Sequence, residues 1–146
     1  MKKSFVLSAL AGTATVLILF LVTSILPYTD FLKNNSALSA DLFAKVQRPL
    51  DQTQIPAIIL SILIVGCLIA TIVYWVKAKN FVDGFKYVFL FGILMMGTVK
   101  FGLIATSYYY SYMTGIVDIF MAGFMFAIGG GVAALVMNKS MKPTKA

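Results

Sequence analysis

Histidine and glutamate are absent from the chain, and cysteine and arginine occur once each, at Cys67 and Arg48. Haem ligation by paired imidazoles, His-built zinc sites and His-based acid/base catalysis are therefore excluded within this chain. A single thiol forms neither an intrachain disulfide nor a Cys-x-x-Cys redox pair. The acids are five aspartates, Asp30, Asp41, Asp51, Asp83 and Asp118, so proton-coupled exchange at a membrane-embedded glutamate is excluded too. Charge is scarce as well: 12% of residues are charged, against roughly 25% in soluble domains.

What fills the chain instead is apolar. Hydrophobic residues make up 60% of it and the mean hydropathy is +0.93, which marks an integral membrane protein. A spanning helix needs about 20 apolar residues at about 1.5 Å rise each. Four runs qualify, at residues 5–26, 55–76, 85–107 and 116–137. Pro27 stops the first, and Pro56 is tolerated in the first turn of the second, where its missing N–H has no intrahelical acceptor. β-Barrel strands would alternate in polarity over about ten residues, whereas these runs are continuous. The expected fold is all-α: one transmembrane domain over residues 1–146, an up-down bundle of four helices. Lys2 and Lys3 before an apolar run resemble a secretion signal, but the 22-residue run ends in Ile25-Leu26-Pro27 without a small-residue cleavage site. It reads as a retained helix.

Orientation follows from the cations. With the N-terminus cytoplasmic, the inner side holds Lys2, Lys3, Lys77, Lys79, Lys86, Lys139, Lys142 and Lys145, and the outer side holds Lys33, Lys45 and Arg48. Eight against three places both termini inside. Tyr74, Trp75, Phe81 and Tyr87 flank the inner loop, and Tyr28 with Tyr108, Tyr109, Tyr110 and Tyr112 mark the outer interface. The net charge of +7 forms no basic stripe with interleaved aromatics, so it reads as a topology signal and an attraction to anionic lipid, not as a nucleic-acid site. In the outer loop, residues 27–54, Ser36 or Ser39 caps a short interfacial helix carrying Leu38, Leu42 and Val46, which Arg48-Pro49 ends.

Small residues four apart let membrane helices approach closely. The fourth span has Gly123, Ala127 and Gly131 in register, with Gly130 and Ala134 beside them; the second has Gly66 and Ala70, and the first Ser4, Ser8 and Gly12. Gly92, Gly97 and Gly102 of the third wind around the helix at five-residue spacing. Packing within the bundle, a homo-oligomer seam and a groove for a larger membrane partner are all open at this stage. Gly129-Gly130-Gly131 lies inside a helix and is no phosphate loop.

Lys100 is the one charge deep in a span, and an intramembrane ionisable residue is a functional-site candidate by default. Asp118 is its candidate partner. A hairpin centred on Tyr112 sets Asp118 level with Thr106, about 9 Å along the axis from Lys100. Side chains lean toward their own helix N-terminus, which points these two apart. A pair and two separate snorkelling charges are both open. Thr71, Thr98, Thr106 and Ser107 either line a polar cavity with Lys100 or bond their own backbone, the expected outcome for each singly. Cys67 is expected as a small buried apolar residue.

Gly66-Cys67-Leu68, Tyr74-Trp75, Gly84, Gly92, Asp118 and the run Gly130-Gly131-Val132-Ala133-Ala134-Leu135 together resemble small bacterial four-span inner-membrane proteins of a family of unknown function. The resemblance implies a bacterial inner-membrane location and no activity, and Lys100 is not part of its pattern. With no expected catalytic, cofactor-binding or metal site, the expected role is a non-enzymatic membrane subunit or adaptor acting through helix packing. The alternative is a small oligomeric transporter or channel using Lys100 as an anion or lipid head-group site.

Overall fold

The structure, a computed structural model, describes residues 2–25, 30–31, 34–35, 42, 54–106 and 111–141. Its elements are α1 (Lys2–Ile25), α2 (Ile55–Trp75), α3 (Phe81–Thr106) and α4 (Tyr112–Met141). Each is long and apolar enough to cross a bilayer, which fits a multi-pass membrane protein. The expected interfacial helix falls on residues that, Leu42 aside, lie outside the described ones.

Both α3 and α4 begin four residues earlier than their apolar runs, because polar caps start them. The Asp83 N–H donates to the Asn80 side-chain oxygen at 2.9 Å, and the Asp83 carboxylate accepts from the Lys79 N–H at 3.1 Å. At α4 the Thr114 N–H donates to Ser111 Oγ at 3.2 Å and the Ser111 N–H donates to Thr114 Oγ1 at 3.0 Å. That is a capping box with threonine in the place of the usual Glu or Gln. The α2–α3 turn closes as a Schellman motif. The Ala78 N–H reaches the Val73 carbonyl at 3.1 Å and the Lys77 N–H the Tyr74 carbonyl at 3.3 Å. Lys77 occupies the left-handed position, at φ 52°, that glycine usually fills. The Asn138 side chain of α4 donates to the Ala78 carbonyl at 2.8 Å and fastens the turn to the bundle.

Successive helices run antiparallel, so α1 starts and α4 finishes at the same end, here the terminal end. α4 is the hub: it packs along α3 and α1 and also touches α2, while α2 and α3 barely meet. Half of the most apolar stretch of α4 is buried inside the bundle, against 11–22% in the other three.

The sequence's small residues make these contacts. A Cβ on Gly84 would collide with the Gly130 carbonyl oxygen, and one on Gly130 would lie 2.5 Å from Val88 and 2.8 Å from the Gly84 carbonyl oxygen. The α3 and α4 backbones therefore touch. Gly123 and Gly131 leave room for the rings of Phe89 and Phe81, members of a column in which Phe85 stacks between Phe81 and Phe89 at 6.1 and 6.0 Å. Gly66 meets Thr13 and the Ala9 carbonyl of α1, and Ala70 and Ala127 are fully buried. Ser8, on the Ser4/Ser8/Gly12 stripe, donates to the Ala133 carbonyl at 2.9 Å across the α1–α4 seam. Among the candidate stripes, those of α1, α2 and α4 are thus occupied by intramolecular packing.

One expectation is corrected. Cys67 is exposed, because one residue beyond Gly66 turns the helix by about 100° and carries it off the α1 seam. Gly97 and Gly102 pack against nothing, since a Cβ at either would meet no atom within 4 Å. The contact glycines of α3 are Gly84 and Gly92, eight apart and so on one face.

Candidate functional site

The core lies toward the terminal end. Ile69, Ile72, Val73, Ala78, Val88, Ala133, Ala134 and Met137 cluster there, with Val16 at the distal edge. The buried residues of α2 are Gly66, Ile69, Ala70, Ile72 and Val73, all in its second half. In the distal half Phe20, Ile58, Ile62, Met96, Met125 and Phe126 line a gap between the helices. The gap is a cleft of about 510 Å³ between α2 and α3, with α4 and α1 behind it. α2 lines it with Ala57, Ile58, Ser61, Ile62 and Val65, one stripe of the helix.

Lys100 and Asp118 form a salt bridge in the wall of this apolar cleft. Their side chains are 11% and 20% exposed, so the pair is shielded but open to the cleft. The sequence expectation of a 9 Å offset came from centring the hairpin on Tyr112. α3 ends at Thr106 and α4 begins at Tyr112, so the connection centres on residue 109, nine residues from each charge. The register seen at Gly92–Gly123 and Ile104–Gly115 agrees. Lys100 therefore lies level with Asp118, and its flexible four-carbon stem closes the remaining distance despite the opposed lean of the two side chains.

Pairing compensates a cost. A lone ammonium costs about 2.5–3.5 kcal/mol at the centre of a span on insertion scales; Lys100, six residues from the end of α3, carries a smaller cost of the same kind, which the adjacent carboxylate offsets. Thr71, Thr98 and Thr106 donate to the carbonyls of Cys67, Leu94 and Gly102 at 2.8–2.9 Å, each bonding back one turn. Ser107 lies outside the described residues. Gly97 lines an apolar groove with Ile93, Leu94, Thr98, Phe101 and Phe120, away from the ion pair.

Met96 sits one turn before Lys100, on the same face of α3. Ser61 belongs to the site and was not singled out from the sequence. Ser61 is surrounded by apolar residues on every side of α2, and nothing in the pattern separates the cleft face from the lipid face.

Comparison of the chain with protein-family models, with curated proteins and with solved structures gives no match.

Proposed function

We propose that this chain is a non-enzymatic membrane subunit that holds a small membrane-resident amphiphile in its distal cleft. The observation that carries the reading is a concave, apolar cleft between four helices with the Lys100–Asp118 ion pair in its wall. Small-molecule sites have this composition and span about 300–1,000 Å³. The small-residue seams that would serve an adaptor or oligomer are already filled from within. Asp118 beside Lys100 leaves the pair without net charge, which favours holding a ligand over conducting anions.

Trp at position 61 tests the reading by filling the cleft from an exposed edge. Protein purified in detergent should carry an amphiphile, identified by mass spectrometry of its extract, that Ser61→Trp reduces about tenfold, equivalent to about 1.4 kcal/mol. Leu94→Trp, in the separate groove, should leave it unchanged. Equal retention in both variants, or no amphiphile above the detergent background, would sink the proposal.

The location proposed is the bacterial inner membrane with both termini cytoplasmic. Support comes from Lys3, Lys77, Lys79, Lys86 and Lys139, all exposed toward the terminal end, where Tyr74, Trp75 and Tyr87 are exposed as well. A phosphatase fused after Ala146 should be inactive, and one inserted within residues 36–45 active. An active fusion at Ala146 would reverse the topology.

A further inference from the structure

A second cavity, of about 330 Å³, lies at the terminal end, where the α2–α3 turn meets α4. Val73, Ala78 and Met137, all buried, give it an apolar floor, and Tyr74, Lys77 and Asn138 complete the lining. The Asn138 amide donates to the Ala78 and Ala134 carbonyls at 2.8 and 2.9 Å, which fixes that wall. Among the described residues, Lys77 brings the one charge to the lining, and no carboxylate pairs with it. Asp83, the nearest acid in the sequence, is engaged as a cap with the Lys79 N–H. The cavity is therefore cationic, unlike the distal cleft, where Asp118 balances Lys100.

Its depth and surroundings point to the ligand. Tyr74 and Trp75 are exposed beside it, and such rings lie at head-group level. Lys3, Lys79, Lys86 and Lys139 are exposed at the same end and raise the local positive potential. Lys77 holds φ at 52°, a conformation glycine adopts freely and lysine only against steric resistance. The turn makes no use of that side chain; the cavity does. We propose that this cavity binds the phosphate of an anionic phospholipid. The Lys77 ammonium donates to a phosphate oxygen, and the acyl chains stay in the bilayer. Basic pockets between membrane helices suit such head groups. The site is separate from the distal cleft and stands or falls without it.

Trp75, the single tryptophan, is two residues from Lys77 and reports which lipid sits there. The full chain is reconstituted into phosphatidylcholine vesicles containing a small share of lipid brominated on its acyl chains, either phosphatidylglycerol or phosphatidylcholine. Bromine quenches indole fluorescence on contact, so the two quenching levels give a relative association constant. Phosphatidylglycerol should be preferred at least about tenfold. Lys77→Gly should cut that preference at least about fivefold, because its charge-assisted contact is lost. Its unfolding midpoint should hold or rise, since glycine suits the backbone there. Lys86→Ala removes a cation that does not line the cavity and should cut the preference less than about twofold. No phosphatidylglycerol preference in the unmodified chain overturns the proposal. Equal losses in the two variants also overturn it, in favour of diffuse attraction by the whole basic end. Relief of the quenching by millimolar glycerol 3-phosphate would instead assign the cavity to a soluble phosphoester.

Discussion

Gly84→Ala should destabilise the bundle by about 3 kcal/mol, the upper end of what overpacking usually costs. The reason is what the new methyl would meet. Its neighbour is the Gly130 carbonyl oxygen, a backbone atom within a helix, so relief requires α3 and α4 to move apart along their shared seam. Gly130→Ala should behave similarly, and so should Gly66→Ala, whose Cβ would meet Thr13 and lie 2.8 Å from the Ala9 carbonyl oxygen. Gly123→Ala should cost less, since its closest neighbour, 2.9 Å away, is the Ile93 side chain, which can rotate. Gly97→Ala and Gly102→Ala meet nothing within 4 Å and should gain up to about 1 kcal/mol from helix propensity. Thermal unfolding in detergent, followed by circular dichroism, separates these cases. Matching midpoints for Gly84→Ala and Gly97→Ala would refute the backbone contact.

The ion pair should show the second large effect. Removing one member of a buried pair typically costs about 3–5 kcal/mol, because the other charge is left in poor surroundings. Lys100 and Asp118 are open to the cleft, so Lys100→Met alone should fall toward the low end of that range. Adding Asp118→Asn should recover part of the loss, giving a coupling energy of about 1–2 kcal/mol, within the range for residues in contact. Two independently solvated charges would instead show additive changes. A double-mutant cycle on unfolding in detergent gives the answer, and zero coupling would dissolve the pair.

Much of the bundle was legible in the residues, for a reason that differs from site to site. Each span announced itself because its apolar run matches the length a helix needs to cross hydrocarbon. The early starts of α3 and α4 were written in Asn80-x-x-Asp83 and Ser111-x-x-Thr114, though a count of apolar residues passes over them. The Gly123/Ala127/Gly131 and Gly66/Ala70 stripes marked real seams, yet the stripe itself does not say which helix fills it. Lys100 stood out as a charge in hydrocarbon and Asp118 as its candidate partner. Their meeting hinged on where the hairpin centres, and a three-residue difference there, from 112 to 109, moves the facing level by six residues.

By itself, then, the sequence determined that the chain is helical, how many helices can span a bilayer, and which chemistries are missing. Those follow from composition and run length, which act through hydrogen-bond satisfaction in a medium without water. Only the tertiary structure decided that α4 is the hub, that the core sits at the terminal end, and that α2 and α3 part to form a cleft around Lys100 and Asp118. A helix apolar on every side carries no hydrophobic stripe to reveal its buried face, because lipid accepts any of them equally. The choice falls to packing, where small residues let backbones approach closely.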